Sequence, residues 1–227
     1  MSAMAVGPAL VIAAEEVPSL LDHVILGCSD LDSGIAFVER YTGVRAAFGG
    51  VHPGGGTRNA LLALGGRRYL EILAPDPNQT NLRSSAVRDV AGLKALRNPR
   101  LLGWAIHPGN IEAFTVELRQ RGIAVEGPVS GSRRRPDGTL LTWKTAHLVD
   151  DAHGMLPFFI DWDGSPHPSV SAPKGCNLEW FVINSPNPET LRKTIQHVGI
   201  DVSVNRAATL ELSTAIVGPG GRLEATS

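Results

Sequence analysis

The chain has 227 residues, of which 43% are hydrophobic and 19% are charged, and this composition is typical of a globular rather than a disordered protein. Lys and Arg total 21 against 22 Asp and Glu, so the formal net charge is -1, which argues against a nucleic-acid binder or membrane-surface protein that relies on bulk charge. The two cysteines, Cys28 and Cys176, are too few for a disulfide scaffold or a cysteine-rich zinc module.

The start of the chain is apolar over residues 4–14, but no basic residue precedes this stretch, and Glu15 and Glu16 end it. The stretch is too short to span a bilayer, and it lacks the basic start of a signal peptide. We therefore expect residues 1–18 to form a flexible N-terminal extension of a cytoplasmic protein that contacts no membrane. A poor signal peptide is the alternative.

Three stretches of the sequence follow the same order of elements, in which a strand and a helix are followed by three strands. The helices end at Gly43, Gly122 and Gly199, which stand at nearly equal spacings. Apolar residues with helical period precede each glycine, and glycine suits the left-handed conformation that ends many helices. Turn residues separate the alternating runs that follow, and they predict hairpins.

The predicted elements give the domain organisation. In the first unit, residues 19–75, they lie at residues 21–28, 32–41, 45–52, 57–64 and 68–73. A polar connecting segment, residues 76–100, follows, in which residues 84–96 suit a helix. The second unit, residues 101–163, has its elements at residues 101–107, 110–121, 125–134, 139–149 and 156–162. Residues 164–227 form a smaller, partial unit with elements at residues 177–183, 188–197, 201–205, 209–217 and 221–225.

This order of elements predicts an α+β fold built from repeated βαβββ units. One unit makes a curved mixed sheet with a helix on one face, and its other face stays uncovered. Two units side by side would close their concave faces into a central cleft, with the third, smaller unit at the C-terminus. A closed, mostly dry cleft is where a small molecule would bind.

Two ionisable residues stand in the middle of predicted strands, His23 in the first and Glu71 in the fourth. A buried carboxylate without a partner is costly, so Glu71 needs a cation, a hydrogen-bond network or a raised pKa. A divalent metal shared with His23 would satisfy both side chains, and this donor pair suits Zn, Mn, Fe, Co or Ni. The alternative is that Glu71 pairs with an arginine such as Arg58, while His23 hydrogen-bonds a backbone carbonyl.

A glycine-rich segment, residues 49–56, surrounds His52 and precedes Thr57 and Asn59. A phosphate-binding loop would need a helix after the glycines, whereas a strand is predicted here, which argues against a nucleotide site. Thr57 and Asn59 share one strand face, so they can offer hydrogen bonds inside the cleft. The alternative is an ordinary hairpin that carries these polar residues on its rim.

Two further basic groups lie near predicted turns. The run Arg133-Arg134-Arg135 precedes a turn, and we interpret it as the solvated tip of a hairpin, with the anchoring of an acidic ligand as the second interpretation. His167 follows the last strand of the second unit in a segment with two prolines, and it could fold back over the cleft.

The order of elements and several motifs resemble the vicinal oxygen chelate superfamily, which contains glyoxalases, extradiol dioxygenases and bleomycin-resistance proteins. The sequence LDHV at residues 21–24 and the sequence YLEI at residues 69–72 resemble its placement of metal ligands. The sequences GVH at residues 50–52, LPFFI at residues 156–160 and HP at residues 167–168 resemble, more specifically, a glyoxalase-like domain group.

The resemblance implies a divalent metal ion, Zn, Mn, Ni or Fe, held by His23 and Glu71, with Glu71 also a catalytic base. His52 would be a third ligand or a proton shuttle. Enzymes of the superfamily bind an oxygenated substrate or intermediate to the metal, which implies a lyase, isomerase or dioxygenase that acts on a small molecule. Superfamily members commonly pair, which implies a homodimer.

The second unit departs from the superfamily pattern. Glyoxalases and dioxygenases take a further ligand from its first strand, which here holds no ligand before His107. Its fourth strand has Phe159 where Glu71 would correspond. Two protein ligands are few for a tight transition-metal site, so the site is incomplete unless His52 or His167 completes it.

The alternative function is that of a metal-free small-molecule binding protein of the bleomycin-resistance type. In that case Trp104, Phe159 and Trp143 would line the pocket, and Thr57 and Asn59 would orient the ligand. Under either function the expected partner is a small molecule rather than a nucleic acid or a membrane.

Overall fold

The structure is a computed structural model that describes residues 17–135 and 137–227. The predicted N-terminal extension therefore lies outside the described residues except for Val17, which packs against the hydrophobic core, and Pro18, which is buried. None of the helices in the described ranges combines the length and the apolar character that a membrane crossing requires.

The first unit has the predicted order of elements. It comprises β1 (Leu21–Gly27), α1 (Leu31–Thr42), β2 (Ala47–His52), β3 (Thr57–Ala63) and β4 (Tyr69–Pro75). Asp30 caps α1 by accepting a hydrogen bond from the Ser33 amide, and Gly43 ends it in the left-handed conformation that the sequence predicts. The helix buries Ile35 and Val38 on the side that faces the sheet.

The second unit repeats these local signals. After α2 (Ser84–Lys94) of the connecting segment come β5 (Arg100–Ile106), α3 (Ile111–Gln120), β6 (Val125–Arg134), β7 (Leu140–Leu148) and β8 (Phe158–Asp161). Asn110 caps α3 by accepting from the Ala113 amide, and Gly122 follows the helix with a positive φ of 78°. Two helices on one side of the chain's main sheet are therefore started and stopped by the residues that the sequence indicates.

The two units form one curved sheet of eight strands in the order β2-β3-β4-β1-β5-β8-β7-β6. Within each unit the first and last strands pair in parallel, and β1 and β5 join the units in an antiparallel pair. At the two ends of the sheet, the Arg133 Nη1 of β6 donates a hydrogen bond to the Gly49 carbonyl of β2. The sheet is thus curled enough for its outer strands to meet, and its concave face becomes a cleft.

The third unit keeps the order of elements but arranges its strands differently. It comprises β9 (Asn177–Ser185), α4 (Pro188–Val198), β10 (Ser203–Arg206), β11 (Glu211–Gly218) and β12 (Gly221–Thr226). Their order in the sheet is β10-β9-β11-β12, so β10 pairs in parallel with β9, and β11 takes the other side of β9. In the first two units, by contrast, the strand after the helix lies at the far edge.

The convex face of the eight-stranded sheet is covered by α1, α3 and the third unit, and this layer holds the larger hydrophobic core. Trp104 of β5 and Phe181 of β9 mark the contact between the two sheets, with ring centroids 4.9 Å apart. The concave face holds a smaller cluster that includes Tyr69, Ile160 and Trp162. This division leaves the concave face free to form a site.

Candidate functional site

A cavity of about 180 Å³ lies on the concave face. The first unit lines it with polar side chains, namely His23, His52, Thr57, Asn59 and Glu71. The second unit adds aromatic side chains and one arginine, Arg133. The structure therefore brings together the five polar residues of the first unit that the sequence singles out.

A break in the strand register places two neighbouring residues of β1 in this site. The pairing with β5 shifts between Leu21 and His23, so Asp22 has no regular partner on that strand. Such a bulge lets adjacent side chains turn to the same side of a sheet. The Asp22 carboxylate accordingly lies 2.7 Å from the His23 Nδ1.

Asp22 is a buried anion surrounded by donors. Its Oδ2 accepts from the Trp162 indole at 3.0 Å and lies 3.1 Å from the His167 Nε2, while its Oδ1 contacts His23. Burial by itself would raise the pKa of Asp22, but the hydrogen bonds from His167 and His23 outweigh burial and hold the pKa well below its usual range. Asp22 therefore stays charged inside the protein.

The network also fixes the protons of the two histidines. The Ser169 amide donates to the His167 Nδ1 at 3.3 Å, so the proton of a neutral His167 is on Nε2 and points at Asp22. His167 therefore does fold back over the cleft, where it supports Asp22. Because Asp22 accepts only, the His23 Nδ1 carries a proton, and in neutral His23 the Nε2 lone pair faces the cavity.

Glu71 lies between two imidazoles. Its Oε2 is 3.7 Å from the His23 Nε2, and its Oε1 is 3.7 Å from the His52 Nε2. The Asn59 amide donates a hydrogen bond of 2.6 Å to Oε1. One carboxylate, two imidazoles and one amide thus converge at one end of the cavity.

The alternative pairing suggested by the sequence does not occur. The Arg58 guanidinium lies 3.8 Å from Asp30 rather than against Glu71. His23 uses its Nδ1 on the Asp22 carboxylate rather than on a backbone carbonyl. Both groups that would have explained His23 and Glu71 as ordinary structural residues are therefore elsewhere.

His52 is held at the rim by Thr57, whose hydroxyl oxygen lies 2.8 Å from the His52 Nδ1. Burial lowers the pKa of His52; the Glu71 carboxylate opposes this shift, and the Arg133 and Arg83 guanidinium groups add to it. The imidazole is therefore neutral at pH 7. A neutral imidazole has a lone pair that can bind a metal ion or accept a proton.

Aromatic rings form the remaining wall. Tyr69 stacks on His23 with ring centroids 4.6 Å apart, and Phe158 meets His23 edge-on at 5.5 Å. Trp143 and Trp162 lie 5.9 Å apart behind them. Burial raises the pKa of Tyr69 well above its usual value, so its hydroxyl stays protonated. The wall is apolar apart from this hydroxyl and the indole N–H groups.

Two residues that the sequence offers as ligand-binding, Trp104 and Phe159, do not line this cavity. Trp104 is buried in the larger core, where its indole donates to the Met155 carbonyl at 2.9 Å. Phe159 is also buried there and packs against Phe114 of α3 with ring centroids 4.9 Å apart. Phe158, one residue earlier, takes the position in the cleft, because adjacent strand residues face opposite sides.

The arginine run is the other residue group that the structure places differently from expectation. Arg133 is only 4% exposed, so it is not part of a solvated hairpin tip. Its neighbour Arg134 points outward and is exposed, as the alternation of β6 requires.

The family model described as "Glyoxalase-like domain" matches residues 21–199 of the sequence. The chain belongs to this family. With its paired βαβββ units, it is a member of the vicinal oxygen chelate superfamily, as the resemblance implied. No curated protein matches the chain.

Solved structures share the fold of this glyoxalase-like chain. A hypothetical protein from Staphylococcus aureus has a TM-score of 0.63 at 18% identity, over 91% of this chain and 84% of that one. Methylmalonyl-CoA epimerase from Mycobacterium tuberculosis has a TM-score of 0.46 at 21% identity, over 72% and 97%. The Streptomyces coelicolor epimerase in complex with 2-nitronate-propionyl-CoA has a TM-score of 0.47 at 22% identity, over 66% and 99%.

The donor set of this glyoxalase-like site fits a divalent metal ion in its chemistry. His23 and His52 offer imidazole nitrogens toward Glu71, and Asp22 orients His23 as carboxylates do behind metal-binding histidines. Within residues 17–135 and 137–227, however, no three His, Cys, Asp or Glu side chains already stand close enough to form a metal cluster. The second unit faces the cavity with aromatic rings and Arg133.

Proposed function

We propose that this protein is a metal-dependent glyoxalase-like enzyme, a lyase, isomerase or dioxygenase, that acts on a small oxygenated molecule. The observation that carries the proposal is the position of Glu71, whose two carboxylate oxygens each lie 3.7 Å from an imidazole Nε2, one of His23 and one of His52. Two imidazoles and one carboxylate in a buried cavity are a common ligand set for Zn, Mn, Ni and Fe.

In this proposal His23 and Glu71 hold the metal, and His52 completes the set. A divalent ion in this position would supply Lewis-acid stabilisation of negative charge on a substrate oxygen. The chain's own groups prepare the site for it. Asp22 keeps the His23 proton on Nδ1, so Nε2 is free, and the Asn59 amide orients Glu71.

The same groups can move a proton. Glu71 Oε1 accepts a proton from the substrate carbon or hydroxyl, and the His52 Nε2 at 3.7 Å passes it on. His52 is suited to this role because its pKa is below the usual value, so it is neutral and can accept. Thr57 holds its other nitrogen. The aromatic wall excludes water from the reacting atoms.

Metal analysis tests the proposal directly. Protein purified without a polyhistidine tag and dialysed against Zn, Mn, Ni or Fe(II) should retain about one equivalent of one metal, measured by plasma mass spectrometry. His23→Ala and Glu71→Gln should lose it, whereas His197→Ala, on the exposed side of α4, should keep it. Retention of the metal in both site variants would contradict the proposal.

A second candidate is a metal-free binding protein of the bleomycin-resistance type. It is favoured by the 2.6 Å hydrogen bond from Asn59 to Glu71, which satisfies one carboxylate oxygen without a metal. It is also favoured by the apolar wall that the second unit contributes. If none of the four metals binds while a small ligand still changes the fluorescence of Trp143 and Trp162, this second function replaces the first.

We also propose that the chain forms a homodimer through the outer strands of the smaller sheet, β10 and β12. The edge of a sheet offers backbone groups that a second chain can pair. Light scattering of the purified protein gives the molar mass, and a mass of one 24.1 kDa chain would contradict the dimer.

A further inference from the structure

Arg133 is a buried cation that lines the cavity from the side of the second unit. It lies on β6, is 4% exposed, and its Nη1 donates to the Gly49 carbonyl. The glycines of β2 make room for it, because a Cβ on Gly50 would stand 3.0 Å from Nη1. Gly50 also has a φ of 140°, which side chains rarely adopt. The glycine-rich segment therefore accommodates a guanidinium rather than a phosphate.

The hydrogen bonds of Arg133 are largely unused by the protein. A guanidinium has five N–H donors, and the one hydrogen bond seen among the described residues uses only one of them. No carboxylate in the described part of the chain forms an ion pair with Arg133. Its nearest charge partners, Glu71 and Tyr69, act on it only through space.

A buried charge without a partner is costly, so a cation kept in a cavity points to an anion that enters it. The planar fork of arginine matches a carboxylate, which it can bind through two parallel hydrogen bonds. The rest of the cavity is suited to a flat apolar body, because Trp143, Trp162, Phe158 and Tyr69 surround it. Its volume, about 180 Å³, is below that of pockets for drug-sized ligands.

We propose that Arg133 binds the carboxylate of a small monocarboxylic acid with a planar apolar body, and so turns the substrate's oxygenated carbon toward Glu71. This inference rests on the proposed function, since it names the substrate class of the same site. The carboxylate and the apolar body are fixed by the second unit, and the chemistry is supplied by the first. The unequal contributions of the two units thus become a division between binding and reaction.

Calorimetric titration with benzoate and its neutral isostere benzamide tests the assignment. Metal-free wild-type protein should bind benzoate saturably and benzamide at least about tenfold more weakly, because only the carboxylate pairs with a guanidinium. Arg133→Lys should weaken benzoate by at least about tenfold, since lysine lacks the fork. Arg134→Ala, the outward neighbour on β6, is the matched control and should bind as the wild type does.

Several outcomes would overturn the assignment. These are absence of benzoate binding at millimolar concentration, equal affinity for benzoate and benzamide, or unchanged affinity in a folded Arg133→Lys protein. If Arg133→Lys fails to fold, the comparison of the two ligands on the wild-type chain still decides. Glu71→Gln separates this inference from the metal proposal, because it should lose metal yet keep the benzoate affinity.

Discussion

At the scale of single residues, the site depends on the anion Asp22. It is almost wholly buried, and its donors come from β1, from the end of β8 and from the segment after it. Hydrogen bonds to a charged acceptor are stronger than those between neutral groups, which is why the carboxylate is tolerated there. Asp22 in turn fixes His23, so the free energy of the network is linked to the geometry of the metal-binding candidate.

Asp22→Asn should lower the free energy of unfolding by about 2–4 kcal/mol at pH 7. The amide keeps the shape of the carboxylate but loses its charge, and its NH2 group faces a donor that it cannot accept from. Urea unfolding followed by circular dichroism measures the change. Asp89→Asn, on the exposed side of α2, is the control and should change stability by no more than about 0.5 kcal/mol. Equal stability of the two variants would refute the role of Asp22.

The stability that Asp22 contributes should also depend on pH. Its pKa in the folded chain is below the ordinary value of 3.8, so the contribution is complete above about pH 5 and is lost as pH falls through 3.8 and lower. The difference in unfolding free energy between wild type and Asp22→Asn should therefore narrow on acidification to about pH 3. A difference that grows on acidification would mean that His23 or His167, rather than the carboxylate, governs the pH dependence.

At the scale of elements, local signals allowed the helices and their ends to be predicted, whereas strand faces were predicted less well. The caps Asp30 and Asn110 and the closing glycines act within one turn of helix, so the sequence alone shows them. The face of a strand depends on register, and a one-residue shift exchanges Phe158 for Phe159. A bulge likewise brought Asp22 into the site beside His23, against the alternation that the sequence analysis assumed.

The end of α1 provides a prediction at this scale. Gly43 has a φ of 74°, and a Cβ there would lie 2.6 Å from the backbone nitrogen of Gly220 in the β11–β12 turn. Gly122, after α3, has a φ of 78° with open space around it, so Gly122→Ala should cost only the left-handed strain of about 1–2 kcal/mol. Gly43→Ala should cost at least about 1 kcal/mol more in urea unfolding, because backbone must move. Equal costs would show that the turn yields freely.

At the scale of the whole molecule, the sequence predicts three units in the right order but not how their strands neighbour one another. The order β10-β9-β11-β12 and the meeting of β2 with β6 are set by packing between segments far apart in the chain. No local pattern in the run of arginines could show that Arg133 would be buried by that closure. The same is true of Trp104, whose side was decided by the docking of β9.

The docking of the third unit leads to the last prediction. Phe181 is fully buried and touches Trp104 across the two sheets, so the units share one core and should unfold together. Phe181→Ala should lower the free energy of unfolding by about 3–5 kcal/mol, because it leaves a cavity between the sheets. Val170→Ala, at a residue 67% exposed, is the control and should change stability by no more than about 0.5 kcal/mol. Tryptophan fluorescence and far-UV circular dichroism should give coincident urea transitions in all three proteins. Two separated transitions in the wild type would show instead that the third unit is an independent folding unit.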